Sequence, residues 1–400
     1  MNRDDPYAII TADSHAGASI ATYREYLDAK HQALFDDWRG GYRNPQRKHI
    51  GSKKHKNWDD TERIGDMDAE GIAGEVIFPN TVPPFFKTSV LICGNPSKQD
   101  YPLWREGIRA HNRWLVDFCA EHPDRRAGIG LLYLNDIEAA IEDVQWIAES
   151  GLRGGILLPH VPDDCRHILP LYATEYDRFW AVCQDLGVVV NQHGGTGSPD
   201  YGSWSAALPI RLLETMFFST RSYGHLLLSG VFERFPRLRY ILTEAGCAWV
   251  PQTLAGLDRV WNMVRRGFAG EFEFAPDSMP PEPPSFYARR NCWYGASSAS
   301  PREIADREAV GVERICWGTD YPHYEGTYHH SRKALRHTFN DVDPDEVRAM
   351  IGGNAAALYG FDLERLAPLA ERIGPRPGEL SQPLSPEEFP EKTMTGAFRT

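Results

Sequence analysis

The chain has 400 residues, 42% hydrophobic and 24% charged, with a formal net charge of -12, which suits one large folded domain or two ordinary ones and excludes wholesale disorder. The acidic balance excludes a general nucleic-acid surface, because phosphate binding needs clustered Lys and Arg that displace counterions. The opening MNRDDPYAIITADSH carries too short an apolar stretch for a signal peptide or a membrane span, so a cytoplasmic location is expected.

Short β-branched runs alternate with longer amphipathic stretches, the pattern of parallel strands buried on both faces and joined by helices. In chain order the sequence predicts strands at Ala8–Ala12, Glu75–Phe78, Ala127–Leu134, Gly155–Leu158, Val188–Gln192, Leu238–Thr243, Asn291–Tyr294 and Ile315–Gly318. Helical patterns follow them, for example over Ile137–Ser150, Tyr172–Leu186, Glu303–Val310 and Pro344–Tyr359. Eight βα units with no Gly-rich dinucleotide turn after the first strand predict an α/β chain, a (β/α)8 TIM barrel, over residues 1–365. The seven cysteines are odd in number, scattered and without a CxxC pair, which points to reduced thiols and neither a disulfide framework nor a thiolate zinc site.

Two segments fall outside the barrel pattern. The insertion at 30–60 follows strand 1 and carries Arg43, Arg47, Lys48, Lys53, Lys54 and Lys56 with no acidic residue between the first and last of them. It reads either as a solvated loop on the catalytic face or as an anion-binding lid for a carboxylate or a phosphate-bearing carrier. Residues 366–400, rich in proline and charge, read as an extended arm that wraps its own barrel or a neighbouring subunit, or stays mobile. A homo-oligomer is expected.

Catalytic groups on such a barrel gather at the carboxyl ends of the strands. There the sequence places Asp13 and His15, His193 with two following glycines, Glu244, and the run Asp320-Tyr321-Pro322-His323. Each alone is an ordinary turn former or a hydrogen-bonded strand-end residue. Together they form a mixed N/O set of the kind that holds a divalent metal with an open position, with Asp13, His15, His193, Glu244 and Asp320 as ligands. Glu244, Asp320 and His323 are the candidate proton carriers. Aromatics at Phe85, Phe86, Trp204, Trp293, Tyr294, Tyr321, Tyr324 and Tyr328 are expected near the mouth and imply a bulky, largely apolar small-molecule substrate. Met216-Phe217-Phe218 reads as helix-core packing. His160 and the pair His329-His330 are candidate substrate contacts, and His225 reads as a buried, hydrogen-bonded residue.

The stretches ADSH (Ala12–His15), VVVNQHGG (Val188–Gly195), GVFERFPRLRYILTEAG (Gly230–Gly246), WGTDYPH (Trp317–His323) and GGNAAALYG (Gly352–Gly360) resemble the amidohydrolase superfamily. The branch is the one that includes aminocarboxymuconate-semialdehyde decarboxylase and related aromatic-acid decarboxylases. The resemblance runs from about residue 8 to 361 and implies that Asp13, His15, His193 and Asp320 take the metal-ligand positions. Two departures stand out: Asp13 where the branch usually has His or Glu, and Glu244 where its decarboxylases place a histidine acid/base. More carboxylate hardens the ligand set and favours manganese, iron or a mixed N/O zinc site.

The expected function is activation of metal-bound water, for hydrolysis or a related C–C or C–O cleavage, on a bulky organic acid, ester or amide. An alternative takes Glu244, with His323, as a ligand to a second ion. It resembles the non-haem diiron monooxygenases built on this barrel, which hydroxylate apolar, CoA-linked skeletons such as diterpenoids. A non-enzymatic, ligand-binding barrel is the second alternative.

Overall fold

The computed structural model describes residues 3–43, 54–161, 165–275 and 277–398. Eight strands form one parallel sheet in chain order: β1 (Ile9–Ala16), β2 (Ile72–Pro79), β3 (Arg126–Leu131), β4 (Gly155–Leu157), β5 (Val189–His193), β6 (Arg239–Thr243), β7 (Cys292–Ser297) and β8 (Ile315–Gly318). The ring closes where Ser14 bridges Tyr321, with the His15 amide donating to the Tyr321 carbonyl at 2.6 Å and the Asp320 amide to the Asp13 carbonyl at 3.0 Å. The closing seam of the barrel therefore runs through three of the expected ligand positions, Asp13, His15 and Asp320.

Alternation along the strands separates two apolar layers. Ile10, Ala12, Val76, Ile129, Leu157, Val189 and Ile241 belong to one buried cluster inside the ring. Ile9, Ile77, Ile156, Val190, Leu242 and Trp317 belong to the other, packed under the surrounding helices. Helices start where an aspartate accepts an amide of the first turn: Asp59 before Asp60–Glu70, Asp136 before Ile137–Glu149 and Asp362 before Leu363–Ile373.

Several sequence-based boundaries move. β1 continues to Ala16, so Asp13 and His15 sit within the strand, and its register against β2 slips between Thr11 and Ser14. β3 stops at Leu131, and β7 runs on to Ser297. Helix Leu363–Ile373 spans the expected 365/366 boundary and buries Leu366, Ala370 and Ile373. Beyond it the tail lies along its own barrel: Arg336 pairs with Glu388 at 2.6 Å, and His337 packs against Phe389 and Phe398.

In the insertion, helix Ala29–Gly41 is followed by residues outside the described set, among them Arg47, Lys48 and Lys53. Lys56 is buried and paired with Glu62 and Asp66, so its charge is already matched and it does not serve an anion-binding lid. Phe217 is 63% exposed, which overturns core packing for that residue, whereas the partly buried Met216 packs against the core cluster. Among the described residues no helix is long and apolar enough to cross a membrane.

Candidate metal centre

β1 turns Asp13 and His15 inward while Ser14 points out, where its hydroxyl donates to Glu75 Oε2 and to the Val76 carbonyl, both at 2.9 Å. β5 ends on His193. Glu244 opens the loop after β6 and Asp320 is the second residue past β8, both held at positive φ (56° and 59°). A left-handed backbone is uncommon outside glycine, and at these two positions it accompanies carboxylates directed into the mouth. Gly318 precedes this turn because nothing larger fits: a Cβ there would stand 2.5 Å from Asp13 Cβ.

The expected residues converge. Asp13, His15 and His193 form one group, His15, Asp320 and His323 a second, and Glu244, Asp320, His323 and Glu325 a third; within each group the ligand-capable atoms lie within 4.8 Å of one another. His15 Nε2 is 3.4 Å from Asp13 Oδ1 and 3.2 Å from Asp320 Oδ1, and His193 Nε2 is 3.4 Å from Asp13 Oδ1. Asp13, His15, His193 and Asp320 are all buried, whereas the side chains of Glu244 and His323 are 31% and 26% exposed toward the mouth.

The other faces of the two inner histidines favour a bound cation. His15 Nδ1 lies 3.3 Å from the Pro79 carbonyl and His193 Nδ1 2.8 Å from the Gly194 carbonyl. A carbonyl only accepts, so each Nδ1 carries a proton and each ring turns its Nε2 toward the centre. His15 Nε2, fully buried, makes no hydrogen bond there. A deeply buried ring nitrogen without a hydrogen bond, facing two carboxylates, is a position that a divalent ion would fill, so the residues present fit the group.

Electrostatics point the same way. Burial acts to raise the Asp13 carboxyl, but the adjacent His15 and His193 rings reverse that and hold it well below the ordinary range. Asp320 is likewise lowered, against burial, by His323 and His15. Glu244 is pushed up to about 7 by burial and by the nearby Asp320 charge. His193 rises to about 9 and His323 to about 10 despite burial, because carboxylates surround both. In His323 both nitrogens face acceptors, Asp320 Oδ1 at 2.6 Å and Asn80 Oδ1 at 3.1 Å, so both donate and the ring carries a positive charge.

Three participants escaped the sequence reading. Ser297, at the true end of β7, donates to Asp13 Oδ2 at 2.5 Å. Asn80, just after β2, holds His323, and Glu325 joins the outer group. Extending strand 7 by three residues is the signal that would have found Ser297. Behind the site, Arg63 Nη1 donates to the His15 carbonyl at 2.8 Å while its Nε bonds Glu75, and Arg126 completes a buried charge cluster.

Other expectations move. Tyr321 and Tyr328 donate to Asp66 behind β1, and Tyr294 bonds Tyr223 under the helices, so none of these three lines the mouth. Phe85 packs on Phe35 and Phe86 stacks on Trp104, while Trp204 and Tyr324 are largely exposed. Trp293 lies under Arg314 rather than at the mouth. His225 is half-buried against Tyr172, and His329 stacks on Tyr328. A cleft lined by Leu91, Ile92, Tyr133, Leu158, His160 and Thr196 among others opens against the loop that follows β5, and none of the candidate ligands is among its lining residues.

The comparisons agree with this architecture. Gamma-resorcylate decarboxylase of Rhizobium sp. (strain MTP-10005) is 29% identical over 318 residues, covering 75% of this chain and 86% of that protein. The 2-amino-3-carboxymuconate-6-semialdehyde decarboxylase of Caenorhabditis elegans is 22% identical over 66% of this chain and 72% of its own. Among solved structures, 5-carboxyvanillate decarboxylase from Sphingomonas paucimobilis superposes with a TM-score of 0.65 at 20% identity, covering 89% of this chain and 100% of that one. Dihydroxybenzoic acid decarboxylase from Polaromonas sp. JS666, solved with manganese and 2-nitroresorcinol, gives 0.60 at 19% identity, covering 88% and 97%. A family model described as amidohydrolase matches residues 58–361, three quarters of the chain. With a closed eight-stranded parallel barrel, a cluster of His and carboxylate groups at its mouth and that match, this chain belongs to the amidohydrolase family.

Proposed function

We propose that this protein is a metal-dependent lyase that removes a carboxyl group from a small aromatic or otherwise unsaturated acid. The observation that carries the reading is the buried convergence of Asp13, His15, His193 and Asp320 around the unbonded His15 Nε2. These four residues would hold a divalent ion; the bound manganese of the Polaromonas relative supports that class of ion. Such an ion supplies positive charge that holds the acid's oxygens and stabilises negative charge developing as the C–C bond breaks.

The remaining work falls to the chain. Glu244 opens toward the mouth beside His193, its Oε2 3.3 Å from His193 Nδ1, and is placed to deliver the proton that replaces the departing CO2 on carbon. His323, fixed between Asp320 and Asn80, keeps the Asp320 carboxylate in place. The cleft against the loop after β5, with Leu91, Ile92, Tyr133 and Leu158 on its wall, would take the organic skeleton. The decarboxylases among the relatives favour this chemistry over ester or amide hydrolysis, which the same groups could also perform. Metal-replete protein given a panel of hydroxybenzoic and related acids is expected to release CO2. Turnover of esters or amides with no CO2 from any acid would overturn the reading.

A second reading rests on the outer groups. Asp320 and His323 are shared by two sets of candidate ligands, one with His15 and one with Glu244 and Glu325, so with the His323 ring deprotonated these residues would hold a second ion, as an iron-dependent oxygenase would need. Two irons per chain with substrate-dependent oxygen uptake would establish it in place of the lyase.

A further inference from the structure

The end of the chain reads EEFPEKTMTGAFRT, polar and without an apolar period, yet Thr395 and Ala397 are buried. Two anchors on the helix after β8, Ser331–Phe339, hold it in place. Glu388 pairs with Arg336 at 2.6 Å, and its carbonyl accepts from Lys333 Nζ at 2.8 Å. The His337 ring meets Phe389 edge to face and stacks on Phe398, and the two phenylalanines meet each other.

What this arm covers is the turn after β7. Gly396 lies directly on Ser298, where a Cβ at position 396 would stand 3.3 Å from the Ser298 carbonyl oxygen. Ser298 has a left-handed backbone (φ 52°), which is uncommon outside glycine and persists where the surroundings fix it. Its amide donates to the Gly318 carbonyl at 2.9 Å, and the Ala299 carbonyl accepts from Thr338 Oγ1 at 2.7 Å. Thr338 is the neighbour of His337, so one helix holds both the turn and the arm that lies on it.

The turn reaches the metal centre through one side chain. Ser297, immediately before Ser298, donates to Asp13 Oδ2. With that oxygen occupied, Asp13 offers Oδ1 to the centre, 3.4 Å from both His15 Nε2 and His193 Nε2. We propose that the C-terminal arm is a positioning element of the metal centre: residues 395–398, seated on Ser298, keep the turn in the conformation that lets Ser297 orient the Asp13 carboxylate. A group that orients a ligating carboxylate carries about 10- to 100-fold in metal affinity. The ring of strands closes between β1 and β8 without the arm, so releasing the arm falls on the metal before it falls on the fold. The proposal rests on Asp13 as a ligand and on no particular reaction.

Manganese affinity of the full-length chain, measured by competition with a chelator, tests this. Ser297→Ala should weaken binding about 10-fold or more, and Ser297→Thr, which keeps the hydroxyl, should restore it. Gly396→Val/Phe398→Ala wedges the arm off Ser298 and removes its ring anchor, and should weaken binding to a similar extent while the metal-free circular dichroism spectrum stays native. Because the arm acts through Ser297, its substitutions should add nothing in the Ser297→Ala background, whereas independent effects would multiply. An arm variant that binds manganese as tightly as wild type, or losses that multiply, overturns the proposal. Wild type that binds no manganese defeats instead the assignment of Asp13 on which it rests. Should the arm variant misfold, hydrogen exchange of the wild type decides, because coupling is reciprocal: manganese must raise the protection of residues 393–398, and protection indifferent to the metal overturns the arm's role.

Discussion

Glu75 is the most informative residue to perturb outside the metal cluster. It is fully buried and accepts from Arg63 Nε at 2.9 Å, Arg126 Nε at 3.2 Å and Ser14 Oγ at 2.9 Å. Glu75→Gln keeps the shape and removes the charge. Arg126 retains Asp60 at 2.6 Å, but Arg63 is left with hydroxyl and carbonyl acceptors and no counter-charge in its buried site. Breaking a buried pair by neutralising one partner costs about 3–5 kcal/mol.

The pKa gives an independent figure. Burial alone would raise the Glu75 carboxyl, but Arg63 and Arg126 bring it down from 4.5 to about 2, equivalent to about 3 kcal/mol at about 1.4 kcal/mol per pH unit. Because the folded-state value is depressed, this stability is fully present above pH 4.5 and is lost as the pH falls toward 2. Urea denaturation of wild type and Glu75→Gln, with chelator present to remove any metal contribution, should therefore differ by about 3 kcal/mol at pH 7. The difference should shrink by about 1 kcal/mol at pH 4. A cost below about 1 kcal/mol at pH 7, or one that is the same at both pH values, would refute the reasoning.

Two further outcomes are expected. Gly318→Ala drives a methyl against Asp13 Cβ, so it should cost about 1–3 kcal/mol by overpacking and lower metal occupancy, read by denaturation and elemental analysis; wild-type occupancy would show that the seam has slack. His111 is buried with its Nδ1 2.8 Å from the Tyr23 hydroxyl, and burial brings it down to about 3. The native state stays neutral while the unfolded chain takes a proton, so wild type should lose stability relative to His111→Gln by about 1.4 kcal/mol per pH unit as the pH falls below 6.5. A difference that stays constant between pH 8 and pH 5 would contradict this.

Much of the barrel and the inner ligand set was legible because both rest on short-range rules. Parallel strands buried on two faces print continuous apolar runs, and the barrel brings every strand end to one mouth, so Asp13, His15, His193 and Asp320 could be read as neighbours despite their separation in the chain. What stayed hidden depends on pairings across the fold. Nothing near Arg63 in sequence announces Glu75, and nothing near Asp66 announces Tyr321 and Tyr328, whose loop turns them behind β1 instead of into the mouth. Ser297 was lost because the glycine and alanine of β7 carry no β-branched signal. Phe217 misled because apolar periodicity marks a buried face without naming what buries it.

The most direct test is elemental analysis of protein purified without chelator, wild type beside His193→Ala. The account predicts at least one divalent transition metal per wild-type chain, lost in the variant together with activity, while the circular dichroism spectrum stays native. Wild-type protein that turns over an acid with no bound metal, or a variant that keeps both metal and activity, would contradict it.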